Sequence, residues 1–145
     1  MTPRLARVNR LLGVRARAFD VSRAARLRAA QALQEAEEER ETITSTRAAV
    51  AQEDIVVESI EDLSSHRMRL MALQRAAEAA ARVVTRLSKV HEEAREAVVE
   101  SRREVRKLEL FRDAVEQGFR EDEGRAERRA EDEASARVVS KKGTG

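Results

Sequence analysis

The sequence predicts an all-α protein, an antiparallel two-helix coiled-coil hairpin with long arms. Ala, Glu, Lys, Leu and Arg make up 86 of its 145 residues, which is a composition typical of long helices. Only five Gly and one Pro are present to interrupt such helices. Charged residues account for 39% of the chain and aromatic residues for 2%, so the apolar area is too small for a wide globular core. A long run of heptads in the second half completes the prediction.

The first helix is predicted over residues 3–53. Thr2 has the side chain of an N-cap, and Pro3 suits the first helical position, where its missing N–H costs nothing. Apolar residues then recur at steps of three and four, and we expect them to face the second helix. The stripe consists of two runs with a one-residue shift in phase between them: Leu11, Val14, Ala18, Val21 and Ala25, then Ala29, Leu33, Ala36, Ile43 and Val50.

The chain is predicted to turn within residues 54–65. The β-branched residues at 55–57 are poor helix formers. Ser59 followed by Asp62 resembles a capping box, with Asp in place of Glu. Ser64 and Ser65 are equally good starting points for the next helix, and a helix that continues through this segment remains an alternative.

The second helix is predicted over residues 66–137, followed by a frayed tail at 138–145. Fourteen residues alternate steps of four and three without a slip, which indicates a left-handed supercoil with a partner helix. His91 lies in this row and is expected to be a structural polar residue. The row contains Leu73, Ala77, Ala80, Val84, Leu87, His91, Ala94, Val98, Ser101, Val105, Leu108, Arg112, Val115 and Phe119.

The charge distribution favours a partner helix from the same chain. Residues 1–34 carry eight Arg and one Asp, a net charge of +7, and residues 35–66 carry a net charge of −8. Residues 67–112 carry +5, and residues 113–145 carry −2. A chain that folds back near residue 60 is expected to set the first block against the fourth and the second against the third. Unlike charges would then face each other and bias the register, although an antiparallel dimer of straight helices remains an alternative.

No catalytic, metal-binding or cofactor-binding site is expected. The chain has no Cys, and the segment from His91 to Arg95 has Arg where a helical zinc motif needs its second His. A Gly-rich phosphate loop is also missing, so the chain is not expected to be an ATPase itself. No apolar run is long enough to span a bilayer, and the first seven residues lack the apolar region of a signal peptide. We therefore expect a cytoplasmic protein without membrane insertion.

Eight Arg residues between positions 4 and 28 form a basic arm with three interpretations. The arm is a solvated face paired with acids on the other arm, a surface for an acidic protein, or a surface for phosphates of a nucleic acid or an anionic membrane. Phe19 is the only aromatic residue among these Arg residues, and no groove-reading element is visible, so nucleic-acid binding is not expected.

Two sets of apolar residues lie outside the rows that a contact between two helices requires. The first is a row beside the main one at sevenfold spacing, which either widens the contact or meets another protein: Ala76, Val83, Val90, Ala97 and Phe111. The second lies near the turn, where it either packs the turn together or forms an adaptable contact surface: Ile55, Val56, Val57, Ile60, Leu63, Met68 and Met71.

Two stretches carry a resemblance to a known family. The first runs from Leu11 to Arg17, followed by an Ala/Arg run to Leu33 and the acidic residues from Glu35 to Glu41. The second runs from Glu127 to Arg137. In both stretches, and in length, the chain resembles the FliJ/YscO family of type III secretion proteins, small cytoplasmic stalk components of flagella and injectisomes. The resemblance covers essentially the whole chain.

The resemblance implies a non-enzymatic stalk that docks in the ring of a hexameric export ATPase and couples it to the export gate. Some members of the family also bind secretion chaperones. The end with both termini, residues 4–28 with 115–137, would face the ATPase, with the candidate contacts Arg7, Arg10, Arg15, Arg128 and Arg129. The turn would face the gate or a chaperone, with the candidate contacts Ile43, Val50, Met68 and Met71. The family's aromatic residues near the turn are absent from positions 40–80.

A self-associating structural coiled-coil scaffold is the alternative function. It differs from the stalk because it requires a dimer or higher oligomer, whereas a stalk can act as a monomeric hairpin.

Overall fold

Two long antiparallel helices packed against each other form a helical hairpin, which confirms the predicted fold class. The computed structural model describes residues 2–54, 56 and 58–143. Helix α1 comprises Pro3–Ala51 and helix α2 comprises Ile60–Gly143, and the described residues contain no strand. The connection therefore occupies 52–59, whereas the sequence placed the turn at 54–65. Ile55 and Val57, two members of the predicted apolar cluster at the turn, lie outside the described residues.

Capping side chains explain where the two helices begin. The Thr2 hydroxyl accepts a hydrogen bond from the Leu5 N–H at 3.1 Å, directly before Pro3 at the first helical position. At α2, the Ser59 hydroxyl accepts from the Asp62 N–H at 3.3 Å, and the Asp62 carboxylate accepts from the Glu58 N–H at 3.3 Å. The first bond satisfies the Asp62 N–H in the first turn of α2, and the second ties the Asp62 carboxylate to the connection, so the helix starts at Ile60 and not near residue 66.

The row of α2 residues that faces α1, which we call the α2 seam, follows the predicted heptads. Every member from Leu73 to Val115 is half-buried or buried, and Val84 is the most buried of them. Only the last member, Phe119, is exposed. His91 lies in the seam and is half-buried, in the position that the sequence assigned to it. The unbroken alternation of four- and three-residue steps therefore predicts the contact face of this helix correctly.

The corresponding α1 seam agrees with the prediction in its second half and differs in its first half. From Ala29 to Val50, the predicted members are half-buried or buried. Before Ala29, the predicted stripe is wrong for Leu11, Val14, Ala18 and Val21, which are exposed, whereas Ala25 is half-buried as predicted. Counted back from Ala29, the heptads of the second half fall one residue later, on Leu5, Val8, Leu12, Arg15, Phe19, Ser22 and Arg26. All of these except Arg15 and Arg26 are half-buried or buried.

Polar residues at seam positions explain this error. Arg15, Ser22 and Arg26 interrupt the apolar pattern of the true seam, whereas Leu11, Val14 and Val21 form a more apolar row beside it. An Arg can occupy a seam position because its aliphatic stem lies along apolar neighbours while its guanidinium reaches water. Among the large apolar residues from Leu5 to Val21, burial therefore follows the heptad period and not the local hydropathy.

Contacts divide the chain into two units. The terminal unit contains Met1–Ala18 and Ser101–Gly145, and the turn unit contains Phe19–Glu100. In the terminal unit, Val8 is buried between the helices. In the turn unit, Ala36, Val50 and Val84 are buried, and an ion pair joins Arg69 to Glu53 at 3.5 Å beside the connection.

Within the terminal unit, α2 continues well beyond the start of α1. The Arg4 guanidinium lies 5.4 Å from the centre of the Phe111 ring, so the first turn of α1 is level with Phe111. Gly143, the last residue of α2, is 32 residues further along the helix, which corresponds to about 48 Å. From Phe119 to Gly143 every residue except Gly124 is exposed. We call residues 119–143 the C-terminal overhang.

This stagger corrects two predictions about the ends of the chain. The first charge block does not face the fourth, because Arg4 lies beside Phe111 and the overhang extends past α1. Residues 1–18 contain five Arg and no acid, and the paired residues 101–118 contain five bases and four acids, so no acidic block faces the basic start of α1. In addition, α2 remains helical to Gly143, where the sequence placed a frayed tail from residue 138.

The overhang is a helix without an apolar contact face. Its residues include seven acids and seven bases, and Arg125 pairs with Asp122 at 3.8 Å one turn away. Such pairs stabilise an isolated helix by about 0.2–0.5 kcal/mol each. Gly118 and Gly124 weaken it, since Gly costs about 1 kcal/mol relative to Ala in a helix.

Burial predicts opposite effects for two Val→Ala substitutions in α1 of the turn unit. Val50 is 2% exposed and Val21 is 66% exposed. We expect Val50→Ala to lower the free energy of unfolding by about 1–2 kcal/mol, because it leaves a cavity in the seam. Val21→Ala should raise it by a few tenths of a kcal/mol, because Ala is the better helix former. Urea denaturation followed by circular dichroism measures both. Equal effects would contradict the assignment of the seam.

Gly→Ala substitutions should strengthen the start of the overhang. An added Cβ at Gly118 would meet nothing within 4 Å, and one at Gly124 would meet only the Arg128 guanidinium at 3.8 Å. We expect Gly118→Ala with Gly124→Ala to slow hydrogen exchange of the amides of 119–143 by roughly fivefold or more, since each removes about 1 kcal/mol of helix cost. Gly13→Ala is the control, because an added Cβ at Gly13 would also meet nothing within 4 Å. It should leave hydrogen exchange in the overhang unchanged.

Candidate functional site

The candidate ATPase contacts form two separate groups in the terminal unit. Arg7, Arg10 and Arg15 are exposed residues of α1, opposite the paired part of α2. Arg128 and Arg129 lie in the overhang, 17 and 18 residues beyond Phe111 along α2, which corresponds to about 25 Å. The predicted single end, residues 4–28 with 115–137, is therefore not one compact surface in this structure.

The three α1 candidates also differ in orientation. Arg15 occupies a seam position, so its stem starts between the helices. Arg7 lies beside the seam in the same row as Leu11 and Val14, and Arg10 points to the outer face of α1, since the heptad period fixes these directions. A partner that approaches from one side would thus contact Arg7 and Arg10 more readily than Arg15.

The two overhang candidates are held against their own helix. The Nε–H group of Arg128 donates to the carbonyl of Gly124 at 3.2 Å, and that of Arg129 donates to the carbonyl of Arg125 at 3.4 Å. Both bonds are exposed, so they exchange with water at little net cost. The remaining N–H groups of each guanidinium can donate to a carboxylate of a partner.

The turn unit carries the candidate contacts for the gate or a chaperone, and the structure separates them by burial. Val50 is the most buried side chain of the described residues, and Ile43 is half-buried in the α1 seam. These two positions hold the helices together and offer little surface to a partner. Met68 and Met71 are exposed and remain available for contact.

Further apolar residues near the connection are exposed together with these Met residues. Ile60 is 86% exposed, Met68 is 67% exposed, and Val56 and Leu63 are also exposed. Of the two interpretations of this cluster, packing of the turn does not describe these four side chains. Together with Met71, we call these exposed apolar side chains the turn patch: Val56, Ile60, Leu63, Met68 and Met71.

The described residues contain no group of His, Asp and Glu that could hold a metal ion. Surface depressions run along single helices, for example from Ala81 to Lys89 on α2 and from Glu38 to Thr46 on α1. Each is the groove between successive turns of one exposed helix. In the part of the chain that the structure describes, the features available for binding a partner are thus the charged and apolar side chains on the surfaces of the two helices.

Comparison with protein-family models identifies the family. The model described as Flagellar FliJ protein matches residues 5–144, which is nearly the whole chain. The chain belongs to the FliJ family. No curated protein and no solved structure matches it. Membership in the FliJ family makes the chain a non-enzymatic component of a type III export apparatus. Among the described residues, no helix is long and apolar enough to cross a membrane.

The sequence analysis of this FliJ-family chain missed the contact between Arg4 and Phe111. Phe111 was assigned to a second apolar row, but Arg4 belonged to no candidate site. The signal that could have found the contact is the α1 seam counted back from Ala29 in steps of three and four, which places Arg4 directly beside the seam residue Leu5. Which α2 residue lies opposite Arg4 depends on where the connection lies. The sequence-based prediction placed the connection several residues too late.

Proposed function

We propose that this FliJ-family protein is a cytoplasmic stalk that docks in the ring of a hexameric export ATPase and couples it to the export gate. The observation that supports docking most directly is the C-terminal overhang. A single helix without an apolar face, exposed on all sides, is suited to a narrow polar channel formed by several subunits. Hydrolysis belongs to the ATPase, and the stalk influences assembly and conformation of the ring.

Charge supplies the contact between the overhang and the ring. Arg128 and Arg129 have side chains long enough to reach outward from a helix about 10–12 Å wide. A guanidinium makes bidentate hydrogen bonds to carboxylates, so acidic residues of the ATPase channel are the expected partners. Arg7, Arg10 and Arg15 would contact the outer part of the ring, since they lie about 25 Å or more from the overhang candidates along the helix axis.

The turn patch is the proposed contact for the gate. Exposed Ile and Met side chains can fill a partner's apolar pockets, and Met adapts to irregular surfaces. The absence of aromatic residues from positions 40–80 means that aliphatic side chains would supply the anchors. Secretion chaperones are a further proposed partner of the same patch.

Neutralising the two overhang arginines should weaken the ATPase complex. We expect Arg128→Gln with Arg129→Gln to lower the affinity for the ATPase at least about tenfold, because charge-assisted hydrogen bonds to carboxylates are lost. Arg82→Gln with Arg86→Gln removes the same charge from exposed positions of the turn unit and is the control. Co-purification with the ATPase and the hydrolysis rate during titration are the measurements.

Unchanged affinity in the overhang variant would exclude Arg128 and Arg129 as docking residues. If the unmodified chain forms no complex with the ATPase and sedimentation shows concentration-dependent oligomers, the stalk function is excluded and the self-associating scaffold is the better interpretation.

Polar substitutions in the turn patch should abolish gate binding without affecting stimulation of the ATPase. Ile60→Gln with Met68→Gln should leave the free energy of unfolding within about 0.5 kcal/mol, because both side chains are exposed. The same variant should lose binding to the export gate while still stimulating the ATPase. Leu27→Gln, at another exposed apolar position of the turn unit, is the control. Gate binding by the double variant at normal affinity would exclude the patch.

A further inference from the structure

The paired part of the terminal unit carries a charge that the hairpin does not neutralise. Residues 1–18 have a net charge of +5, and residues 101–118, the part of α2 before the overhang, have a net charge of +1. Acids on the other arm were one predicted partner of the basic arm, but the segment paired with residues 1–18 has no net negative charge to neutralise it. The positive charge is therefore available to a partner outside the chain.

One side of this segment combines the charge with apolar surface. Because the Arg4 guanidinium lies over the Phe111 ring, the α1 row that contains Arg4 is on the same side as the α2 row that contains Phe111. About half of the Leu11, Val14 and Phe111 side chains is exposed. We call this side the basic flank, with the members Arg4, Arg7, Leu11, Val14 and Ala18 of α1, and Glu104, Lys107, Phe111 and Ala114 of α2.

Charges within and beside the basic flank reinforce this asymmetry. Arg4, Arg7 and Lys107 are its bases, and Glu104, which pairs with Lys107 at 3.5 Å, is its only acid. The adjoining outer face of α1 adds Arg10 and Arg17.

The opposite side has neither property. Its α1 row consists of small uncharged residues, Ala6, Asn9, Gly13 and Ala16. Its α2 row balances two bases with three acids, Arg102 and Arg106 with Glu109, Asp113 and Glu116. Arg106 also pairs with Glu109 at 3.5 Å. Exposed large apolar side chains and unbalanced positive charge thus occur together on one flank.

We propose that the basic flank binds the surface of an anionic membrane. Half-exposed Leu, Val and Phe side chains can enter the headgroup region, while the surrounding Arg and Lys side chains reach the lipid phosphates. Each such base close to an anionic surface adds to the attraction. The helices would lie on the membrane without spanning it.

Two other partners fit the flank less well. A nucleic acid would supply the negative charge, but it has no use for exposed Leu and Val, and the flank has one aromatic ring, already covered by Arg4. An acidic partner helix needs several heptads of apolar contact, whereas the flank offers three large apolar side chains within the terminal unit. The broad charge on the flank and the outer face of α1 matches an extended anionic surface.

Vesicle binding by the full chain tests the proposal without the ATPase, so a failure here leaves stalk docking untouched. The probes are vesicles of phosphatidylcholine alone and of phosphatidylcholine with phosphatidylglycerol. We expect binding only to the anionic vesicles, with a decrease as salt is added. Arg4→Gln with Arg7→Gln should weaken binding roughly 30-fold, as two bases leave the surface. Arg102→Gln with Arg106→Gln removes the same charge from the opposite side and should change binding less than about threefold.

A second variant separates a membrane from other polyanions. Leu11→Ser with Val14→Ser keeps every charge, and both positions are exposed, so circular dichroism should show an unchanged hairpin. It should weaken binding to anionic vesicles and leave any binding to a DNA duplex unchanged. Equal losses from the two charge variants, no binding to anionic vesicles, or tighter binding to the duplex than to the vesicles would each overturn the proposal.

Discussion

The contact between the two heptad seams is the interaction on which the rest of the structure depends. Four side chains, Val8, Ala36, Val50 and Val84, are buried among the described residues of this 145-residue chain. With so little buried area in any one place, stability must come from many small contacts repeated along both helices. The period of the repeat matters more than any single side chain, which is why Arg and Ser are tolerated within the seam. All other faces remain in contact with solvent and can serve partners.

Register is the second determinant, and the capping residues at the connection set it. Because α2 begins at Ile60, Arg4 pairs with Phe111, and the last 25 residues of α2 have no counterpart in α1. In the terminal unit the same register sets the basic start of α1 against a nearly balanced stretch of α2, so the positive charge of α1 is not neutralised there. The C-terminal overhang and the basic flank thus both follow from this register.

The fold was predictable from the sequence because composition and heptads act over long stretches. The seam of α2 was predictable residue by residue, since aliphatic side chains hold nearly every position from Leu73 to Val115. The first half of the α1 seam was not, because a more apolar row lies one residue away and hydropathy cannot choose between neighbouring rows. Which of the two rows of α1 is buried depends on how α1 packs against α2.

The candidate site was predictable in kind and less so in position. Basic residues near the termini and apolar residues near the turn were identified, but charge arithmetic paired the wrong blocks. A shift of a few residues at the connection moves every pairing along the arms, and no single residue in the sequence signals it. Exposure of Met68 and burial of Val50, two candidates for one surface, likewise follow from the period and not from their similar hydropathy.

The uninterrupted period of the seams has a consequence for how such a protein can change in evolution. Removing seven residues from α1 and seven from the facing part of α2 would keep every remaining seam residue opposite a seam residue. The connection, the overhang and their contacts would be unaffected. Removing three residues from one arm alone would rotate everything beyond that point out of the contact. Lengths of relatives should therefore vary in matched heptads, so that each arm changes in discrete steps of about 10 Å.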